Sequence, residues 1–143
     1  MTRSAQRFHI AGVGLLDALI SLAILSFGML AMTRFQGRMV AQTTESQSRQ
    51  VATQLAGEQL STVLVDVANA ACYTKPQSGT CGNAGAKTRT TDWATRVAAA
   101  LPGTVTTAAA LNAGADRLTL TISWTGKDSG DTHTLTTQTD VRP

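Results

Sequence analysis

Charged side chains are scarce in this chain, and its basic residues are spread thinly. Only 15% of the 143 residues are Asp, Glu, Lys or Arg, whereas about 25% is usual in soluble domains. The net charge of +3 falls to +1 beyond residue 12, where 10 basic residues stand against 9 acidic ones. The ten basic residues are Arg34, Arg38, Arg49, Lys75, Lys87, Arg89, Arg96, Arg117, Lys127 and Arg142. Because a nucleic-acid-binding surface needs clustered Lys and Arg, the sequence disfavours nucleic acid as a partner.

The sequence also lacks a catalytic or metal-binding constellation. Its two histidines, His9 and His133, lie far apart, and it contains no Ser/His/Asp or Cys/His set, no Gly-rich phosphate loop and no metal-ligand spacing. Such sets carry the chemistry of hydrolases, nucleotide-binding proteins and metalloproteins. The chain is therefore not expected to be an enzyme, and neither a metal nor a cofactor is expected.

Proline does not occur before Pro76, and the chain begins instead with a long apolar run, GVGLLDALISLAILSFGMLAM, at residues 12–32. From Val13 to Thr33 there are 21 residues with a single charge. A helix of this length spans about 31 Å, which matches the hydrocarbon core of a bilayer, about 30 Å thick. The run is therefore predicted to be a membrane-spanning helix.

Basic residues flank this run on both sides. Arg3 and Arg7 precede it, and the positive-inside rule then places the N-terminus in the cytoplasm and the polar remainder outside the inner membrane. Arg34 and Arg38 follow it directly and weaken that prediction.

The single charge inside the run, Asp17, separates three interpretations. A cleaved signal peptide has an apolar run of about 7–15 residues and an A-x-A-like site, whereas this run is longer and ends in GMLAMTRF. A plain membrane anchor explains the length but not the carboxylate, which costs about 2.5–3.5 kcal/mol at mid-bilayer. Alternatively, Asp17 lies at headgroup depth, where the helix dipole favours a negative charge.

The segment HIAGVGLLDALISLAIL resembles the N-terminal region of type IV prepilins. In that family a short basic leader ends in Gly, an apolar residue follows, and a carboxylate stands at the fifth place of the mature chain. The resemblance implies that a prepilin peptidase cuts after Gly12, that Val13 becomes the N-methylated N-terminus, and that Asp17 pairs with the terminal amine of a neighbouring subunit. Such a pair sets the axial register of the subunits. Val13 replaces the usual Phe, and Asp17 replaces the usual Glu.

The helical pattern continues beyond the apolar run to about residue 71. Val51, Leu55, Leu60, Leu64 and Val67 recur at spacings of three to five, which predicts one amphipathic face. With the resemblance, this pattern implies a leader at residues 1–12, a transmembrane or filament-core helix at residues 13–33 and its amphipathic continuation at residues 34–71. Residues 72–143 are then expected to form a periplasmic α/β head.

Residues 72–91 are rich in Gly, Ser, Thr and Asn and are predicted to be a loop. Outside the cytoplasm, Cys72 and Cys81 would close a short disulfide loop within it. In the cytosol the same pair would be free thiols or half of a metal site, although no further ligands lie nearby.

The rest of the head is predicted to hold one short helix and an antiparallel meander. TDWATRVAAALPG is a helix capped by Thr91 or Asp92, with Trp93, Val97 and Leu101 on one core face, and it stops at Pro102–Gly103. RLTLTISWT and HTLTTQTDV alternate as strands on either side of a GKDSGD turn, and TVTTAAAL is a candidate third strand.

The head segments DWATRVAAALPG and LTISWTG are similar to minor pilins of the PilV type. The predicted fold class is α+β: a long N-terminal transmembrane and amphipathic helix packed on a small antiparallel β-sheet head, as in pilins. The resemblance implies a minor pilin that primes assembly of type IV pili, with other minor pilins, the major pilin, the inner-membrane assembly platform and prepilin peptidase as partners. The resemblance further implies that the chain lies in the inner membrane, with the head in the periplasm, before assembly. After assembly it would belong to the pilus at the cell surface and contribute to adhesion. The alternatives are a minor pseudopilin of a type II secretion system, a DNA-binding pilin for DNA uptake, and a monomeric anchored domain.

Overall fold

The computed structural model describes residues 11–112, 114–126 and 130–142, and their side chains from residue 14 onward. The greater part of the predicted leader, with Arg3, Arg7 and His9, lies outside these ranges, as does the middle of the predicted GKDSGD turn. The chain divides into two compact units, Met1–Gln42 and Thr43–Pro143, which we call the N-terminal unit and the head unit.

Helix α1, Ala11–Val65, begins in the N-terminal unit and ends in the head unit. No proline interrupts its 55 residues. Hydroxyl side chains such as those of Ser26 and Thr33 donate hydrogen bonds to backbone carbonyls one turn earlier, so they do not draw the backbone into a non-helical conformation. The sequence predicted a helix to about residue 71, but α1 ends at Val65. Asp66 leaves the helical region of backbone conformation, and a 3₁₀ helix, Val67–Tyr73, follows.

The buried seam of α1 differs from the predicted one by about one residue. The positions that are almost fully buried are Ala52, Ala56, Gln59 and Val63, each at 2% exposure or less, whereas Leu64 is 48% exposed. Small side chains let the other head elements approach the helix closely, and the larger predicted residues Val51, Leu55 and Leu60 pack beside the seam. Periodicity located the correct part of the helix but favoured the larger apolar side chains over the alanines that are buried.

Helix α2, Ala84–Ala100, starts earlier than predicted. Asn83 caps it, because its Oδ1 accepts the Ala86 backbone N–H at 3.1 Å. Thr91 and Asp92 therefore lie inside the helix instead of capping it, and the predicted loop shortens accordingly. Burial of Ala86 and Thr90 offsets the modest helix propensity of the Gly- and Thr-rich first turns. Its predicted core face is confirmed: Trp93, Val97 and Leu101 are 1%, 0% and 6% exposed.

Three antiparallel strands form the sheet: β1 (Val105–Asn112), β2 (Arg117–Thr125) and β3 (Thr132–Asp140), in the order β1-β2-β3. The predicted alternation is confirmed in β2, whose Leu118, Leu120, Ile122 and Trp124 are all buried. The predicted third strand is β1, and part of its outer edge is occupied by Lys75, which exchanges two backbone hydrogen bonds with Ala109. Gly103 turns the chain into β1 with a φ of +67°.

The outer edge of β3 is open among the described residues. Asp131 and Val141 bond their backbone groups toward the β2 side. In an antiparallel ladder these groups alternate in direction along a strand, so the even-numbered residues of β3 direct theirs to the open edge. The same residues are exposed, whereas His133, Leu135, Thr137 and Thr139 are half-buried, as the sequence predicted.

The core of the head unit joins helix and sheet. One cluster combines Ala52 and Ala56 of α1, Trp93 and Val97 of α2, and residues of β1 and β2 such as Ile122. A second cluster surrounds Tyr73 and contains Val63, Cys72, Ala86, Leu118 and Val141. The fold is thus α+β, with a long N-terminal helix followed by a small antiparallel three-stranded sheet.

Candidate functional site

The described part of the N-terminal unit offers one continuous apolar surface. Every residue from 14 to 40 is exposed, and large side chains such as Leu15, Phe27 and Met29 are 70%, 74% and 68% exposed. Among the described residues, this is the helix long and apolar enough to cross a membrane. Exposed apolar patches of this size are rare in soluble monomers and are typical of membrane or protein interaction surfaces.

The predicted site residues of this unit occupy the first turns of α1. Gly12 and Val13 belong to the helical backbone, although their side-chain surroundings and the leader before residue 11 are outside the described residues. Asp17 is exposed, and no other described side chain pairs with its carboxylate. Between Ala18 and Thr33 the sequence contains no other charge. The structure therefore presents one carboxylate on an otherwise apolar helix surface, available to a group outside the described chain.

The predicted cysteine pair is joined in the head unit. Cys72 and Cys81 form a disulfide with a Cα–Cα distance of 4.9 Å. Cys72 is 2% exposed and lies in the same cluster as Tyr73 and Leu118. The bond thus connects the end of the 3₁₀ helix to the segment that leads into α2.

A polar network at the end of α1 was not predicted from the sequence. The Asp66 carboxylate accepts hydrogen bonds from Asn69 Nδ2 at 2.7 Å, Tyr73 Oη at 2.9 Å and Arg89 Nη2 at 3.2 Å. Arg89 Nη2 also donates to Tyr73 Oη at 2.9 Å. The network links the helix terminus to the 3₁₀ helix and to α2. Asp66 and Arg89 are 23 residues apart, so no local spacing in the sequence signals this contact.

These contacts shift the pKa values of the network in directions that follow from its geometry. The hydrogen bond from Asn69, then that from Tyr73, lowers the pKa of Asp66. Burial raises the pKa of Tyr73, and the Tyr73 hydrogen bond raises the pKa of Arg89. The network therefore favours a charged Asp66 and a neutral Tyr73, which is consistent with a structural role in joining the three elements.

A groove of about 640 Å³ runs beside this network. Glu58, Thr62, Val65 and Arg89 are among its lining residues. Arg96 closes a bidentate pair with Glu58 nearby, at 2.6 and 2.9 Å, and this hydrogen bonding lowers the pKa of Glu58. The charged groups that line the groove are therefore already paired, Asp66 with Arg89 inside it and Glu58 with Arg96 beside it. Across the described ranges, no group of three or more His, Cys, Asp or Glu residues is placed to hold a metal ion.

His133, the histidine of the head, is held between two charged groups of α1. Its Nε2 lies 3.1 Å from Glu45 Oε2, and its Nδ1 lies 3.3 Å from Arg49 Nη2. Arg49 Nε in turn donates to Glu45 Oε1 at 2.8 Å. Because Arg49 can only donate, Nδ1 is the acceptor and Nε2 carries the proton that Glu45 accepts. Both ring nitrogens are thus engaged in joining β3 to α1.

No known protein family, curated protein or solved structure matches this chain.

Proposed function

We propose that this chain is a minor pilin, a structural subunit that enters the inner membrane as a precursor and joins type IV pili after removal of its leader. The observation that carries the proposal is the position of Asp17. It stands five residues after Gly12 on an exposed apolar helix, and no other charged side chain occurs between Gly12 and Arg34. The overall arrangement, a long apolar helix followed by a small disulfide-bonded α+β head, supports the same proposal.

Asp17 acts through subunit register. Cleavage after Gly12 leaves a positively charged amine on Val13, and in a bundle of apolar helices this amine is the partner that the carboxylate of an adjacent subunit needs. Coulomb attraction in an apolar bundle is strong, but desolvation of both charges offsets much of it. A subunit out of register leaves a carboxylate unpaired in an apolar environment, which is costly. The pair therefore selects one axial position more than it adds net stability.

The apolar surface of α1 explains why assembly needs work. Its side chains are stable in lipid and leave it only when other helices replace those contacts. An assembly motor supplies this work in the proposed function, and the head unit, with its own core, remains outside the bundle of helices.

The first experiment is co-expression of the full chain with a prepilin peptidase, followed by intact-mass analysis. The expected product lacks residues 1–12 and carries a methyl group on Val13. Gly12→Ala is expected to retain the leader. If the wild-type chain keeps its 12-residue leader, the filament proposal is wrong, and the monomeric anchored domain replaces it.

The second experiment follows incorporation into sheared pili. Asp17→Ala is expected to lower the amount of this subunit in the pili, and Asp17→Glu, which keeps the charge, is expected to retain it. Asp17→Asn keeps the size and removes the charge, so it separates electrostatics from shape. Normal incorporation of Asp17→Ala would contradict the proposed role of the carboxylate.

A minor pseudopilin of a type II secretion system shares the same N-terminal features. Neighbouring genes separate the two: other minor pilins favour the pilus, whereas a secretion operon favours the pseudopilus. A DNA-uptake pilin instead requires that the head bind DNA with a steep salt dependence, which the thin spread of basic residues disfavours.

A further inference from the structure

Two arginines of the N-terminal unit remain unexplained by subunit register. Arg34 and Arg38 follow the apolar run directly, and both are exposed. They would face the side of the membrane on which the positive-inside rule disfavours basic residues. An anionic partner at this place would offset the unfavourable location of these two positive charges.

The helix places the two guanidinium groups together at one depth. Arg34 and Arg38 are one turn apart on α1, on the same face and about 6 Å apart along the axis. Asp17 lies about 26 Å along the axis before Arg34, at about 1.5 Å per residue. Charges thus stand at both borders of a segment whose length matches a hydrocarbon core of about 30 Å.

The described chain supplies no anion for this pair. No hydrogen bond or ion pair links either guanidinium to another described residue. Asp17 is the one acid of the described N-terminal unit and lies at the opposite border. The next acid along the sequence, Glu45, is engaged with Arg49 and His133.

The neighbouring side chains favour lipid over water around the pair. Phe35, Met39 and Val40 are 62%, 52% and 66% exposed, so apolar and basic side chains share the same two turns. Arginine stems lie along apolar surface while their charged ends reach the headgroups. A guanidinium also binds phosphate oxygens in a bidentate manner, which an ammonium group does not.

We propose that Arg34 and Arg38 together bind the phosphate of anionic phospholipids at the end of the apolar segment of α1. The pair fixes the depth of the helix in the bilayer while the subunit waits in the membrane. This inference rests on the membrane-embedded position in the proposed function, but it requires neither leader cleavage nor filament assembly.

Native mass spectrometry of the full chain, purified in detergent, tests the site. The chain is offered phosphatidylglycerol and phosphatidylcholine with identical acyl chains in equal amounts. Wild type is expected to retain phosphatidylglycerol preferentially, and Arg34→Gln/Arg38→Gln to lose that preference by roughly 30-fold, from the attraction of two basic residues to an anionic surface. Arg34→Lys/Arg38→Lys keeps the positive charges but loses the bidentate binding of phosphate, and is expected to retain only part of the preference for phosphatidylglycerol.

The matched control is Lys87→Gln/Arg142→Gln, which removes the same charge from two exposed positions of the head unit and is expected to behave as wild type. Equal loss in this control, or equal retention of both lipids by wild type, overturns the proposal. Inorganic phosphate is titrated in a parallel arm. If millimolar phosphate displaces phosphatidylglycerol completely, the pair recognises free phosphate and not a lipid headgroup, and the lipid proposal is overturned.

The lipid result and the proposed function fail separately. Loss of lipid preference with normal leader cleavage contradicts only the arginine site. Normal lipid retention with an uncleaved leader contradicts only the filament proposal.

Discussion

Removal of the Cys72–Cys81 disulfide is the sharpest test of how the head unit holds its fold. The bond closes a short loop, with a sequence separation of 9 residues. In the chain-entropy description, a loop of about ten residues contributes about 2.7 kcal/mol to the free energy of unfolding at 25 °C. A head of this size has a thin core, so this contribution is a large fraction of its expected stability.

The two cysteines are not equivalent, and this difference refines the prediction. Cys81 is half-buried, so Cys81→Ala removes the cross-link and little else. Cys72 is 2% exposed in the cluster around Tyr73, so Cys72→Ala also removes a buried sulfur and is expected to cost about 1 kcal/mol more. The double variant is expected to match Cys72→Ala, because one cross-link is lost only once.

Urea unfolding of a fragment spanning residues 43–143, followed by circular dichroism, measures these differences. Cys81→Ala is expected to lose about 2.7 kcal/mol, and its melting temperature to fall by roughly 10–15 °C. Dithiothreitol is the matched control: it should destabilise wild type by the same amount and leave Cys81→Ala unchanged. A loss below about 0.5 kcal/mol in Cys81→Ala would refute the loop-closure argument.

Three further predictions concern the head unit. The pKa of Asp66 in the folded chain lies below its ordinary 3.8. As pH falls, the unfolded chain therefore binds a proton at this group before the folded chain does, and the free energy of unfolding decreases. Asp66→Asn should therefore flatten the loss of stability below pH 3.8, measured by urea unfolding across pH, and an unchanged pH profile would contradict this role. Gly103→Ala places a Cβ 2.5 Å from the Thr125 carbonyl oxygen at a φ of +67° and should lower the free energy of unfolding by about 1–3 kcal/mol. Its control, Gly57→Ala, lies in open space on α1 and should instead raise the free energy of unfolding by about 0.5–1 kcal/mol. Ala56→Leu should destabilise by about 1–3 kcal/mol through overpacking of the seam, and an unchanged melting temperature would disprove that the seam is close-packed.

The sheet was predictable from the sequence because its side chains alternate strictly. In β2, apolar residues occupy every second position from Leu118 to Trp124, and each of them is buried. A period of two has few competing interpretations when small hydroxyl residues, mostly threonine, fill the positions between. The inward face of β3 carries His133, Leu135 and two threonines and is less apolar than that of β2, as is typical of a strand at the edge of a sheet.

The helices were predictable in type but not in packing or length. The buried seam of α1 contains Ala52 and Ala56, which a hydrophobic pattern ranks below leucine, because close approach of neighbouring elements decides burial there. The start of α2 at Ala84 depends on the cap from Asn83 and on tertiary burial that outweighs local propensity.

The polar network at Asp66 could not be predicted because its members come together only in the folded unit. Asp66 and Arg89 belong to different elements, and neither stands in a recognisable motif. Asp17, in contrast, is conspicuous in the sequence, since a single carboxylate in an apolar run differs from all of its neighbours, and its role in subunit register stays a prediction. A local contrast of this kind is visible in the sequence alone, whereas contacts between residues distant in sequence become visible only in the folded structure.

The edge of β3, which is open among the described residues, has a practical consequence for work with soluble fragments. From Thr132 to Asp140 the strand contains no lysine, proline or bulge, which are the features by which natural sheets discourage further strands from adding. At high concentration, another extended chain can therefore form backbone hydrogen bonds along this edge, whatever its side chains are. Thr136→Lys, on the exposed face at mid-strand, would place a charge on this edge and leave the buried face untouched, which makes it the preferred change for keeping isolated heads monodisperse.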